Sequence, residues 1–349
     1  MEHNRLALTI CLAVFAGCSS QPATTPTDGG TGTTPDATAD SGGSCGDGSP
    51  GNDSGDATSV TIEQINDPSA PGHVGPGTAV ALQNVVATSR KFLVSESSSG
   101  TCMWGVFLSA PGLTDAMPYT GLLATSFGSP AVVADGGTTP RCPVPQLGQP
   151  AGDAFPDDVA PGDVLNVSGT TSSYIPAACA ATADAGSSNV PTVSLSNVSL
   201  ASRTSTGTTP ATPHVLSATD LAAFAAGGDP AWFAEWSGVL VQIQNVSVMP
   251  TGGTLLDAYG HMVLTSGLSI GDSLYYVGAA KSTDVCYAGP TYSTNSPAFT
   301  SITGFVYLDY CNWTLAPRDK CHDLNPPSAD CSSVADAGTD AGADTVCED

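Results

Sequence analysis

The chain has 349 residues and a formal net charge of −24, from 32 Asp and Glu against eight Lys and Arg. Binding to a polyanion needs clustered Lys and Arg. Arg90-Lys91 is the only adjacent basic pair, which argues against nucleic acid as a partner and favours a soluble surface that repels anions. Six acids fall in residues 19–58 and seven in 323–349, leaving 18 acids and seven bases in 59–322. That central part is long enough for one large core or two modest ones.

At the N-terminus an apolar run, Leu6 to Gly17, leads to Phe15-Ala16-Gly17-Cys18. The run has the length of a signal-peptide core and falls short of the roughly 20 residues that span a bilayer. The four residues resemble the lipobox of bacterial lipoproteins, with Phe15 where that family prefers Leu. The resemblance implies a signal peptide over 1–17 and acylation of Cys18. Two or more acyl chains hold a protein at a membrane durably, at roughly 0.8 kcal/mol per buried methylene. Ser19 follows the cysteine; in lipoproteins an Asp there retains the protein at the inner membrane, so the resemblance implies the outer membrane. The alternative is an ordinary secretory signal cut near Ala16 or Gly17.

Residues 18–59 are expected to form a disordered acidic linker. From Ser19 to Ser59 nothing apolar exceeds Ala except Cys45 and several Pro, so the segment cannot bury enough surface to offset its ordering entropy. At this length it reaches roughly 35 Å root-mean-square. Residues 324–349 are expected to be a similar tail, because Asp336, Asp340 and Asp344 would stack and repel on a helix.

Between the tails the pattern is all-β. Runs rich in Val, Leu, Thr and Tyr alternate with Gly, Pro and Asp. Residues 61–66 are expected to form a brief helical turn. Ser217-Ala-Thr-Asp220 reads as a capping box with Asp in place of Glu, and Asp229-Pro230 as an N-cap followed by Pro at the first helical position. Val80 and Leu82 share a face before Asn84, whereas Val85 and Ala87 have the opposite phase; Val241 and Ile243 stand in the same relation to Val246 and Val248 across Asn245. Val193 to Leu200 shows the same flip at Asn197. A one-residue flip needs an extra residue, so a bulge is expected near each Asn. A long strand that changes phase in this way can serve both sides of a small barrel, as the first strand of an OB-fold does.

Gly238 to Val248 resembles the opening of OB-like modules found in exported bacterial proteins, and Ser301 to Arg318 resembles their closing hairpin. Gly77 to Val80 with Pro161 to Gly169 is similar to a sister module. The resemblance implies a tandem repeat: two small OB-like β-barrel modules at 60–205 and 214–323, with a few short helices. Such modules sit beside endonuclease/exonuclease/phosphatase domains in secreted nucleases and also occur alone in lipoproteins. The nuclease domain itself has no room here, so its catalysis is not carried over, and no cofactor is expected.

An oxidising compartment favours disulfides. With Cys311 in the hairpin turn, the strand to Cys321 spans roughly 30 Å, too far for the roughly 7 Å that a disulfide allows between α-carbons. Cys286–Cys321 is therefore the preferred bridge, and Cys102–Cys142 is expected to tether a long loop of the first module. A zinc site from Cys286, Cys311, Cys321 and His322 is the alternative, weakened by the lack of any Cys-x-x-Cys pair.

Gly267-Leu-Ser269-Ile-Gly271 matches the nucleophile-elbow pattern, with Asp309 and His322 following in a permitted order. The elbow needs a helix after the serine, but Asp272 to Val277 reads as strand, so a turn between strands is preferred. His73, His214, His261 and His322 stand isolated in sequence and are expected on loops or barrel surfaces. Asp157-Asp158 shows no partner and reads as a polar loop. Tyr275, Tyr276, Tyr307, Tyr310 and Trp313 are candidate ligand-face aromatics, since OB-folds stack bases or sugars on such a face; core and hairpin packing is the preferred reading. With so few bases, a glycan or protein ligand fits better than nucleic acid. The expectation is a membrane-anchored envelope lipoprotein acting as a non-catalytic binding or scaffolding module. The alternatives are a secreted hydrolase using Ser269 and a purely structural surface protein.

Overall fold

The structure, a computed structural model, describes residues 57–96, 101–130, 142, 152–174, 191–225, 229–257, 260–274, 290–309, 311–329 and 331. All lie within Asp56–Asp349, which forms one compact unit. The described chain is mostly strand with three short helices. The first sheet contains β1 (Thr58–Ser59), β2 (Ala79–Ala87), β3 (Phe92–Glu96), β4 (Thr101–Ser109), β5 (Gly121–Pro130), β6 (Val164–Tyr174) and β7 (Thr192–Ser205), with α1 (Ile62–Asn66) between β1 and β2. The second contains β8 (His214–Val215), β9 (Leu240–Ser247), β10 (Met262–Val263), β11 (Ser269–Ile270), β12 (Ala298–Asp309), β13 (Asn312–Ala316) and β14 (Leu324–Asn325). Helices α2 (Ala218–Phe224) and α3 (Pro230–Trp236) lie between β8 and β9 in the chain.

Capping chemistry sets the helices. The Ser217 hydroxyl accepts from the Asp220 backbone N–H while the Asp220 carboxylate accepts from Ser217 N, and the Asp229 carboxylate accepts from Ala231 N ahead of Pro230. α1 carries a capping box of its own, from Thr61 and Gln64. Each box satisfies backbone donors that the first helical turn leaves without partners.

In the first sheet the pairings run β2–β6–β7–β5–β4 and return from β4 to β2, with β5 and β7 parallel. In the second they run β9–β12–β13–β11–β10, with β11 and β13 parallel. There Val248, just past β9, bridges Leu264, just past β10, and Met249 N donates to Val263 O at 2.7 Å.

All three phase-flipping asparagines adopt left-handed backbone: Asn84 at φ 56°, Asn197 at 50° and Asn245 at 53°. Asn tolerates this region better than most L-residues. The register of β2 on β6 shifts between Leu82 and Val85, so Val80, Leu82, Val85 and Ala87 all reach one core. The β6–β7 pairing shifts opposite Asn197, between Ser168 and Thr170. At Asn245 the expected bulge is not a register shift: β9 and β12 stay aligned on both sides. The partner strand changes phase at the same place, with Phe299 and Ile302 both buried, so the two irregularities cancel.

The two sheets share a hydrophobic seam. Phe92, Phe107 and Leu123 of the first pack with Leu240 and Phe305 of the second. Around it, Ala116 N donates to Thr212 O and Thr212 N to Thr114 O, both at 2.8 Å, and Tyr119 N donates to Glu235 O at 2.6 Å. Gly121 and Gly238 meet backbone to backbone, so closely that a Cβ on Gly121 would collide with the Gly238 carbonyl.

Order extends beyond the expected boundaries at both ends. Thr58–Ser59, placed in the linker by composition, pair with β2. Leu324–Asn325, placed in the tail, pair with β12, and Leu324 is 1 % exposed in the second core. Two cysteine pairs lie at disulfide distance among the described residues. Cys102 and Cys142 have α-carbons 5.6 Å apart. Cys321 joins Cys331, with α-carbons 5.5 Å apart, and this overturns the expected Cys286–Cys321 bridge. Composition had assigned Cys331 to the tail, but the pairing of β14 brings it back to the sheet. Cys311 is also disulfide-bonded, and its partner, like Cys286 itself, lies outside the described residues. No described helix is long and apolar enough to cross a membrane.

Candidate functional site

The densest group of chemically versatile side chains lies at the margin of the second sheet. His261 immediately precedes β10, Asp272 and Ser273 follow β11, and Asp309 closes β12. The antiparallel pairing of Met262 with Ile270 brings the start of β10 against the end of β11. His261 Nε2 lies 3.3 Å from Asp309 Oδ2, and Ser273 Oγ donates to that same oxygen at 2.7 Å. On the other side of the ring, Nδ1 lies 3.9 Å from Asp257 Oδ2, while the His261 backbone N–H donates to Asp257 Oδ1 at 2.9 Å. Asp257 N donates to the His261 carbonyl at 2.8 Å, tying the two backbones together.

His261 is 1 % exposed and Asp272 5 %. One donor atom from each of His261, Asp272 and Asp309 lies within 4.8 Å of the others. Burial by itself would favour the neutral imidazole. The hydrogen bond to Asp309, with the charges of Asp309, Asp257 and Asp272, outweighs it and raises the His261 pKa above its ordinary value. The expectation that His261 would sit on a loop surface is overturned. Its partners are remote in sequence, Asp309 by 48 positions, and no local pattern reveals them.

The other anticipated residues are dispersed. Ser269 is a β11 strand residue paired with Val263 and Thr314. Among the described residues that follow it, 270–274, there is no helix, and its anticipated partners are engaged elsewhere: Asp309 with His261 and Ser273, and His322 Nδ1 with Asp319 Oδ2 at 2.8 Å. The elbow geometry is not formed. The zinc alternative built on cysteine thiolates fails too, since Cys311 and Cys321 are both in disulfides.

Among the aromatics, Trp313 is 7 % exposed and stacks on Phe233 of α3 with ring centroids 4.7 Å apart, so it serves the core instead of a ligand face. Tyr307 meets Phe92 and Phe107 edge-on at the inter-sheet seam. Tyr275, Tyr276 and Tyr310 lie outside the described residues, as does Cys18. His214 stacks on Trp236 at 4.3 Å, and the ring of exposed His73 contacts the Gln64 carbonyl.

Asp157 and Asp158 have partners that sequence could not show. Lys91 Nζ donates to Asp153 and Asp157, each at 2.9 Å. Arg203 grips Asp158 with two hydrogen bonds, at 2.7 and 3.0 Å. These are distant pairs that close the 152–163 loop against β7 and the segment before β3.

Comparison with known protein families, with curated proteins and with solved structures finds no match to this chain.

Proposed function

We propose that this chain is an exported lipoprotein, held at the bacterial outer membrane through acylated Cys18, whose body is a non-catalytic binding or scaffolding unit for a glycan or protein ligand. The observation that carries the anchor is the run Leu6 to Gly17 ending in Phe15-Ala16-Gly17-Cys18. The acidic, Thr- and Gly-rich stretch that follows has the composition of a flexible tether.

We further propose that the body is a tandem repeat of two OB-like modules, in keeping with the resemblance in sequence. What supports this is the shared circuit of pairings. Numbering the principal strands of each half in chain order, β2, β4, β5, β6 and β7 neighbour one another in the order 1-4-5-3-2, with 2 returning to 1. Strands β9, β10, β11, β12 and β13 follow the same order, and 3 and 5 are parallel in both halves. Left-handed Asn84 and Asn245 fall at matching places in the two first strands.

A binding role is favoured over hydrolysis because Ser269 lies in a strand, and the Asp and His that would have to serve it are bonded to other residues. The test is twofold. Expressed with its native leader, the full chain should partition with outer membranes, and Cys18→Ala should release it to the soluble fraction. The released chain, applied to glycan and protein arrays, should retain a discrete set of ligands. Equal membrane partition of both forms contradicts the anchor, and failure to retain anything contradicts the binding role.

A further inference from the structure

We infer that His261, Asp272 and Asp309 form a binding site for one divalent transition-metal ion of the zinc class. The site is independent of the lipid anchor and of the ligand proposed above. Its donor set is one imidazole nitrogen and two carboxylates, all of which zinc accepts. The three side chains come from the residue just before β10, the turn after β11 and the last residue of β12, and each offers a donor atom within 4.8 Å of the other two. His261 Nε2 and Asp309 Oδ2, at 3.3 Å, have the separation of two ligands on a common ion, given metal–ligand distances of about 2.0–2.2 Å.

The surrounding contacts match what a metal site needs beyond its ligands. A ligating histidine usually carries a carboxylate or carbonyl on its second nitrogen, and that partner fixes ring and tautomer. The Asp257 carboxylate lies on this side of the ring, 3.9 Å from Nδ1, and holds the His261 backbone N–H at 2.9 Å. Nε2, on the opposite side of the ring, faces Asp309 Oδ2 at 3.3 Å. Ser273 Oγ, donating to Asp309 at 2.7 Å, orients the carboxylate as ligand-supporting hydroxyls do. Both His261 and Asp272 are more than nine-tenths buried, so the donors are held in place before any ion arrives. Three protein ligands leave a fourth position for water, as in open zinc sites. Binding would cross-link three chain segments at one margin of the sheet.

The experiment uses the full mature chain, stripped of metal with a chelator and titrated with Zn²⁺ alone by calorimetry. Co²⁺ serves as a second probe, read through its visible absorption. One equivalent should bind, and His261→Gln and Asp309→Asn should each weaken binding at least tenfold and abolish the Co²⁺ bands. Asp272→Asn, a third variant, guards against misfolding in the others and should do the same with an unchanged far-UV spectrum. His322→Gln, at the exposed His322–Asp319 pair, should bind as the parent does. Zinc binding that survives all three ligand variants, or that is lost only in His322→Gln, overturns the assignment, as does failure of the parent to bind.

Discussion

Phe107 and Phe305 lie in different sheets, 198 positions apart in the numbering, yet their rings stack with centroids 4.1 Å apart and planes 13° from parallel. Both are fully buried. Tyr307 closes on Phe107 edge-on and Phe92 stacks on its other side, so the seam is a continuous aromatic core. Its consequence is mechanical: beside the core that each half builds for itself, the two halves share apolar burial at the seam.

Truncating Phe305 to Ala removes this shared packing. Large-to-small changes at buried aromatics cost about 3–5 kcal/mol. Phe305→Ala should therefore lower stability by an amount of that order, and both sheets should still melt together. Calorimetry of the mature chain checks this. Two separate transitions, with only the second sheet displaced, would show that the seam does not couple the halves.

The left-handed asparagines make a second, local expectation. A β-branched residue pays roughly 1–2 kcal/mol to enter that region, whereas Gly enters freely. Asn84→Val and Asn245→Val should each be destabilised by about that much, with the Gly variants within about half a kcal/mol of the parent. Urea unfolding distinguishes them; equal loss for Val and Gly would place the role of Asn in its side-chain contacts instead.

Asp158 supplies the pH dependence. The hydrogen bonds from the Arg203 guanidinium, aided by its charge, hold the Asp158 carboxyl below its ordinary value. A carboxylate depressed in the folded state contributes stability that is present above its unfolded value, about 3.9, and is lost as pH falls through the lower folded value. The pair is partly exposed, with Asp158 55 % accessible, so its contribution is at most about 1 kcal/mol. Asp158→Asn should be less stable than the parent by a constant amount from neutrality to about pH 5, and the gap should close in stronger acid. A gap that widens on acidification would contradict this assignment.

Features of local origin were legible in the sequence. Ser217 and Asp220, Asp229 and Pro230, and the phase flips at Asn84, Asn197 and Asn245 are written within a few neighbouring positions, and their chemistry acts over the same range. The mostly β character followed from the alternation of the runs. What sequence could not show depends on chain closure. His261 finds Asp309 only because β10, β11 and β12 converge, and Lys91 finds Asp153 and Asp157 62 and 66 positions away, beyond three strands. Cys331 looked like part of a tail because nothing in its composition signals that β14 folds back onto β12. Trp313 stood as a candidate for either the core or a ligand face, because a strand read alone does not say which side faces α3.

The most direct test of the proposed anchor is the intact mass of the protein recovered from the membranes of its native host or a close bacterial surrogate. The mature chain should begin at Cys18 and be heavier than its sequence by a diacylglycerol, with or without a further amide-linked acyl chain, the added mass confined to the N-terminal peptide. A chain starting at any other residue, or one carrying an unmodified Cys18, would contradict the anchor.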